Sequence, residues 1–223
     1  MAKKRGNKSS IEKALDLIEA LKEKDELGVT ELSKILGLNK NNVFRLLATL
    51  QIEGIIEQDP ETENYKLGKK VLYLEYAYLK SLRFLKEAKP FIRELKNTFN
   101  ETVYISVLHE NDVIYIYSEE ANRSVLVHSR IAKRFKASET APGKALLKAN
   151  TQKERDYIVE YDFEILEPEV SEIATVLWDD KNPKAAISIV APISRLNPSN
   201  IIEFKEKLLE IANRASDKIT SSR

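Results

Sequence analysis

The chain has 223 residues, 43% hydrophobic and 8% aromatic, and its 36 Lys and Arg nearly balance 35 Asp and Glu for a net charge of +1. That length suits two modest domains or one large one, and the near-neutral charge excludes a basic nucleic-acid coat, so any nucleic-acid affinity must come from local patches. The lack of Cys excludes disulfides, thiolate metal sites and a cysteine nucleophile, while the missing membrane-length apolar run and signal-peptide core point to the cytoplasm.

Residues 1–8 form a basic arm in which Lys3, Lys4 and Arg5 either stay solvated or lie along phosphates or in a minor groove. Ser9-Ser10-Ile11-Glu12 is a capping box for a first helix. Ile11, Ala14, Leu15, Ile18 and Leu21 recur at helical spacing and predict its inner face. After the charged loop Lys22–Gly28, Thr30 is the expected cap of a second helix, with Glu31 in its first turn. Gly37 makes a tight turn. Asn39 then caps a third helix, and Leu38 is placed to pack on Val43 as a hydrophobic staple.

In the third helix Val43, Leu46, Leu47 and Leu50 share one stripe. The opposite face presents Lys40, Asn41, Asn42, Arg45 and Thr49, whose donors and acceptors suit phosphates and base edges: Arg favours guanine, Asn adenine. These helices read either as a pair in an ordinary bundle or as a helix-turn-helix with Lys40–Thr49 as recognition helix. The next segments favour the second reading. Ile55–Gln58 and Asn64–Leu67 flank the polar turn Asp59–Glu63, and two short strands at that point make a wing.

Val71 to Lys86 reads as a helix linking two domains. Its stripe of Val71, Leu74, Tyr78, Leu82 and Leu85 fits either a partner chain or its own domain. Pro90 is expected to restart a helix, with Phe91, Leu95 and Phe99 inward. From Thr102 the period changes to two, predicting strands at Val103–Val107, Val113–Tyr117 and Ser124–His128. Helices follow at Gly143–Ala149 and about Gln152–Glu160, then strands at Ile173–Trp178 and Ala185–Val190. A last helix starts at Asn197-Pro198, with Phe204, Leu208, Ile211 and Ala215 inward. Hairpins and helices without βαβ alternation predict an α+β fold on an antiparallel sheet.

No catalytic motif emerges. His109 and His128 have no paired-His or Cys companion, Gly143-Lys144 lacks the rest of a phosphate loop, and no Gly-x-Ser-x-Gly elbow occurs. The expectation is therefore no enzyme, no metal and no cofactor.

Several stretches match one family. Ser10–Leu15, Leu36–Lys40 with Arg45–Leu50, Tyr65–Gly68, Ala141–Leu147, Ala186–Ile189 and Pro192–Leu196 resemble the corresponding segments of isocitrate-lyase-regulator (IclR) transcriptional regulators. The Ala141–Leu147 match has Pro142 where a Leu or Ala is usual. The resemblance implies a winged helix-turn-helix at 9–68, a linker helix at 69–88 and a GAF-like effector-binding and oligomerisation domain at 89–223. It further implies a homodimer, in some members a tetramer, on a palindromic double-stranded DNA operator, with an organic or aromatic acid as effector. The DNA contacts it suggests are Lys40, Asn41, Asn42, Arg45, Thr49 and Thr30, with Lys3, Lys4 and Arg5 on phosphates.

The effector contacts it suggests are Thr140, Ala141, Gly143, Asp162, Glu172, Ser188 and Ser194. The Ala141 and Gly143 amides, at a helix start, are candidates to receive a carboxylate. The chain also departs from the family pattern. Roughly 30 residues that would help wall the ligand pocket are missing between Val159 and Glu167. Glu172 stands where a thiol is common, and would repel an acid unless a cation sits beside it. Glu61 and Glu63 make the wing tip acidic. Ligand sensing and a ligand-independent, purely oligomerising second domain both stay open.

Overall fold

The computed structural model describes residues 8–222; Lys3, Lys4 and Arg5 lie outside them. The chain divides into two compact units at Ser81/Leu82. In the first, α1 (Ser10–Glu23) starts on a closed capping box: Ser9 Oγ accepts from the Glu12 N–H, and the Glu12 carboxylate from the Ser9 N–H at 2.7 Å. Its inner face differs from the expected one. Leu17 and Leu21 are buried, whereas Ile11 and Leu15 are 73% and 56% exposed. The helix carries two apolar stripes, and only the one containing Leu17 and Leu21 meets α2 (Val29–Leu36) and α3 (Lys40–Ile52).

Thr30 is not the cap of α2. Gly28 takes that place because the Glu31 carboxylate reaches back to accept its N–H at 3.1 Å, leaving Thr30 exposed one residue inside the helix. Gly37 closes α2 in the left-handed region at φ 63°, where a Cβ would be strained. Asn39 caps α3 by accepting from the Asn42 N–H at 2.8 Å. Val43 and Leu47 are fully buried against Leu17, Leu32 and Ile56. The wing is β1 (Ile56–Gln58) antiparallel to β2 (Tyr65–Leu67), and Leu27 bridges to Tyr65 on the far side.

The linker expectation needs two corrections. α4 (Lys70–Ser81) ends at Leu82, where Ser81 Oγ donates to the Tyr78 carbonyl and competes with the helical ladder. Pro90 does not restart a helix but sits inside α5 (Arg83–Phe99). It is exposed, so the carbonyl it leaves without a donor faces solvent, while Leu85, Ala88, Ile92 and Leu95 are buried on the other side.

The second unit is a six-stranded antiparallel sheet in the order β5-β4-β3-β8-β7-β6. Its strands are β3 (Thr102–His109), β4 (Asp112–Glu119), β5 (Arg134–Lys136), β6 (Val159–Phe163), β7 (Val170–Asp179) and β8 (Asn182–Pro192). One face packs on α5 and on α7 (Ile201–Ser221), with the Trp178 N–H donating to Ser216 Oγ at 3.0 Å. The other face packs on α6 (Ala141–Thr151) around Tyr104, Tyr115, Val176, Trp178 and Val190.

Three expected elements differ. Ser124–His128 is irregular, because Arg134–Lys136 takes the free edge of β4 in its place. Gln152–Glu160 is not helical; its end becomes β6, whose backbone pairs with the edge of β7. The last helix starts at Ile201, after turns through Asn197-Pro198, with Phe204, Leu208, Ile211 and Ala215 buried as expected.

Candidate nucleic-acid interface and effector site

On α3, Lys40, Asn41, Asn42, Arg45 and Thr49 are all exposed, on a helix fixed from behind by Val43 and Leu47. Among the described residues Lys40 and Arg45 have no ion-pair partner, so both charges are available to a ligand. Thr49 differs: its Oγ1 already donates to the Arg45 carbonyl at 3.0 Å. Thr30, Lys40 and the wing residues Gln58, Thr62 and Asn64 line a cleft of about 340 Å³ with Phe44. Phe44 was not among the expected contacts; half-exposed on an otherwise polar helix face, it is an anomaly readable from the sequence.

Part of the wing's charge is already engaged. Asp59 accepts from the Glu61 and Thr62 N–H groups at 2.9 and 3.1 Å, which hold its carboxyl below its ordinary range. Lys66 lies 3.4 Å from Asp59 and 3.8 Å from Glu26, so the strand's one cation is partly neutralised. Glu61 and Glu63 remain at the tip.

In the second unit the expected effector residues divide. Thr140 is buried and caps α6, its Oγ1 accepting the Gly143 N–H at 3.1 Å. The Gly143 amide proposed for a carboxylate is therefore already bonded. Gly143 serves close packing instead: a Cβ there would lie 2.3 Å from the Ala137 carbonyl oxygen and 2.4 Å from its Cα. Gly143→Ala should destabilise the second unit by about 1–3 kcal/mol through overpacking, read as a lower urea midpoint. An unchanged midpoint would mean that the Ala137 turn yields freely. Ala141 is buried beside Thr140, and Ser194 is exposed in the turn after β8. Asp162 is buried and accepts from the Ile165 and Leu166 N–H groups at 2.7 and 3.2 Å, so it shapes the β6–β7 turn.

Glu172 and Ser188 belong to a different arrangement, completed by residues the sequence reading did not select. A register slip between β3 and β4 at Ile105/Ser106 places Tyr115 opposite Ser106 and Tyr117 opposite Ile105, on opposite faces. Tyr117 thus meets Lys89 of α5, and Tyr115 turns toward Tyr104. Arg130 is set by two contacts with the β3–β4 hairpin: its N–H donates to Tyr104 Oη at 3.3 Å, and the next residue, Ile131, bridges to Tyr115. Its guanidinium donates to Glu172 at 2.8 Å, with both side chains 1% exposed. Tyr115 Oη lies 3.0 and 3.1 Å from the two Glu172 oxygens.

The electrostatics follow from burial. Burial pulls the Arg130 guanidinium down, but Glu172, Tyr115 and Glu167 outweigh it, so Arg130 stays cationic. Burial pushes the Glu172 carboxyl above its ordinary 4.5, with Arg130, Ser188 and Tyr115 opposing. The cation that Glu172 required is therefore present. The pair occupies the face where an acid effector was expected.

The comparisons with known proteins agree with this architecture. The sequence model of the IclR helix-turn-helix domain matches residues 10–60, and that of the bacterial transcriptional regulator IclR C-terminal domain matches residues 76–165. Relatives include the transcriptional regulators XynR and KdgR of Escherichia coli K12. XynR is 33% identical over 139 residues, 62% of this chain and 55% of XynR. KdgR is 32% identical over 152 residues, 68% of this chain and 58% of KdgR. The chain thus spans about half the length of the curated relatives it matches.

Among solved structures, an IclR regulator from Alicyclobacillus acidocaldarius has a TM-score of 0.78 at 19% identity, covering 94% of this chain and 98% of that one. An IclR homologue from Microbacterium hydrocarbonoxydans, complexed with 4-hydroxybenzoate, has a TM-score of 0.80 at 16% identity, covering 96% and 100%. At such identities these two carry the fold alone. With both domain models matched in order on a winged helix-turn-helix followed by an antiparallel-sheet unit, the chain belongs to the IclR family of transcriptional regulators.

Proposed function

We propose that the chain is a sequence-specific DNA-binding regulator of transcription, working as a homodimer in the cytoplasm. The observation that carries this reading is the exposed face of α3, with Arg45 and Lys40 in no ion pair among the described residues, on a helix held by a buried Val43–Leu47 stripe and followed by a wing. In this reading residues 9–68 bind DNA, 69–88 link and 89–223 sense or oligomerise. Arg45, Asn41 and Asn42 read bases. Lys40, Thr49 and Thr30 contact the backbone or groove edge, and Lys3, Lys4 and Arg5 add phosphate contacts. The acidic wing tip contributes little to phosphate binding.

The test is selection of duplexes from a random library, followed by titration of the winner against salt. A palindromic winner whose affinity falls steeply with salt is expected; no enriched sequence would sink the reading.

Self-association is supported by the uncovered stripes of the first unit: Ile11 and Leu15 on α1, and Leu72, Tyr73, Tyr76 and Tyr78 on α4, all more than half exposed. An apolar patch of this kind marks an interface more often than bare solvent. Leu15→Glu should therefore lower the sedimentation-derived mass toward the monomer without changing the helical circular dichroism. A variant of unchanged mass would remove α1 from the interface.

For the second unit, a small organic acid is the effector class that Arg130 favours, and the relative solved with 4-hydroxybenzoate supports it by analogy. One observation favours the ligand-independent reading: Arg130 already holds a carboxylate, that of Glu172.

A further inference from the structure

The Arg130–Glu172 pair is more than two opposite charges. It joins Tyr115 from β4, Arg130 from the loop before β5, and Glu172 from β7, all 1% exposed or less. The guanidinium edge and the phenol together hold both Glu172 oxygens, which is the donor set a free carboxylic acid would need. Around it are polar atoms to spare. Ser106 Oγ is buried without a hydrogen-bond partner among the described residues, Ser188 Oγ stands beside the Glu172 carboxylate, and Arg130 Nε has only a 3.5 Å ion pair with Glu167. Tyr115 and Phe135 wall the guanidinium at 5.8 and 5.9 Å. A buried ion pair is a weak way to stabilise a core, so spare donors inside aromatic walls fit recognition better than a structural pin.

We propose that Glu172 is a built-in ligand: its carboxylate fills the guanidinium–phenol site that a free carboxylic acid would otherwise occupy. The second unit is thereby held in its occupied state by its own chain, and simple carboxylic acids do not bind there. A competitor would have to displace a tethered group, present at a high effective concentration, and would leave Glu172 buried and unpaired. The proposal rests on reading the second unit as an effector-type domain. Its test does not involve DNA, so a failed operator selection and a failed titration are separate results.

Glu172→Ala deletes the atoms of one acetate and leaves Arg130 with only its 3.5 Å ion pair to Glu167, which makes acetate the probe. Thermal unfolding is followed in acetate, acetamide, ethylammonium and chloride at matched pH and ionic strength. The wild type should not respond to acetate. Glu172→Ala should melt lower and be raised saturably by acetate, roughly tenfold more tightly than by acetamide, the margin of a charge-assisted hydrogen bond. Adding Arg130→Met to Glu172→Ala should abolish the response. If Glu172→Ala does not fold unaided, the yield of soluble protein refolded in acetate against acetamide reads the same preference. A wild type raised by acetate, or a variant that treats acetate and acetamide alike, would overturn the proposal and leave a plain structural ion pair.

Discussion

Arg45→Ala is expected to leave the fold intact and to cost about 1–3 kcal/mol of binding to the selected operator, with selectivity relaxed at one base position. Stability should hold because the side chain is exposed and makes no ion pair among the described residues, while the stripe that fixes α3 lies on the opposite side. Binding should fall because a guanidinium can present two donors to a guanine edge, which no shorter side chain replaces. Lys40→Ala is the control. A phosphate contact carries no sequence information, so its loss should weaken all duplexes alike and flatten the salt dependence. The measurement is the ranking of single-base operator variants for each protein. If Arg45→Ala weakens binding but leaves the ranking unchanged, Arg45 touches the backbone and the base reader lies elsewhere on α3.

Arg130→Met should be the most damaging substitution to stability, about 3–5 kcal/mol at neutral pH, because it strands a buried carboxylate. The size of the loss depends on pH. Burial already holds the Glu172 carboxyl above its ordinary 4.5 with Arg130 opposing, and removing Arg130 lets it rise further. A carboxyl with a higher pKa in the folded state binds more protons there than in the unfolded chain. Its favourable contribution is thus present at low pH and is lost as pH rises from 4.5 through the folded value. Arg130→Met should therefore lie closest to wild type near pH 5 and furthest below it at pH 8, as urea midpoints would read. Replacing both partners, Arg130→Met with Glu172→Met, should recover most of the loss, since it leaves no stranded charge. A deficit equal at the two pH values would mean that Glu172 finds another partner when Arg130 is gone.

What the sequence made legible follows the range of each interaction. Ser9 with Glu12, Gly37 and Asn39 act over a few residues, so caps and the turn of the helix-turn-helix could be read directly. Choices between near-equal local signals were settled by a reach of three residues: Glu31 to Gly28 displaced Thr30, and Ser81 to Tyr78 ended α4 before Pro90. Edge pairing overrode local pattern twice, at Ser124–His128 and at Gln152–Glu160, because a strand exists only where a neighbour offers an edge. The buried cluster was half legible. Glu172 and its need for a cation could be inferred, but Arg130 lies 42 positions away. Only the sheet, the β4 register slip and the bridge at Ile131 bring the two together.

The strand order also sets the sequence of events in folding. The β3–β4 and β7–β8 hairpins close over turns of two residues, whereas the centre of the sheet is the pairing of β3 with β8, in which Val103 faces Ile189. That pairing closes a loop holding most of the second unit, and its chain-entropy cost falls due before any contact across the seam rewards it. The hairpins are therefore expected to form first, with their docking along β3–β8 as the slow step. On a ribosome the first unit, whose helices and wing are contiguous in sequence, is complete while β8 is still unmade.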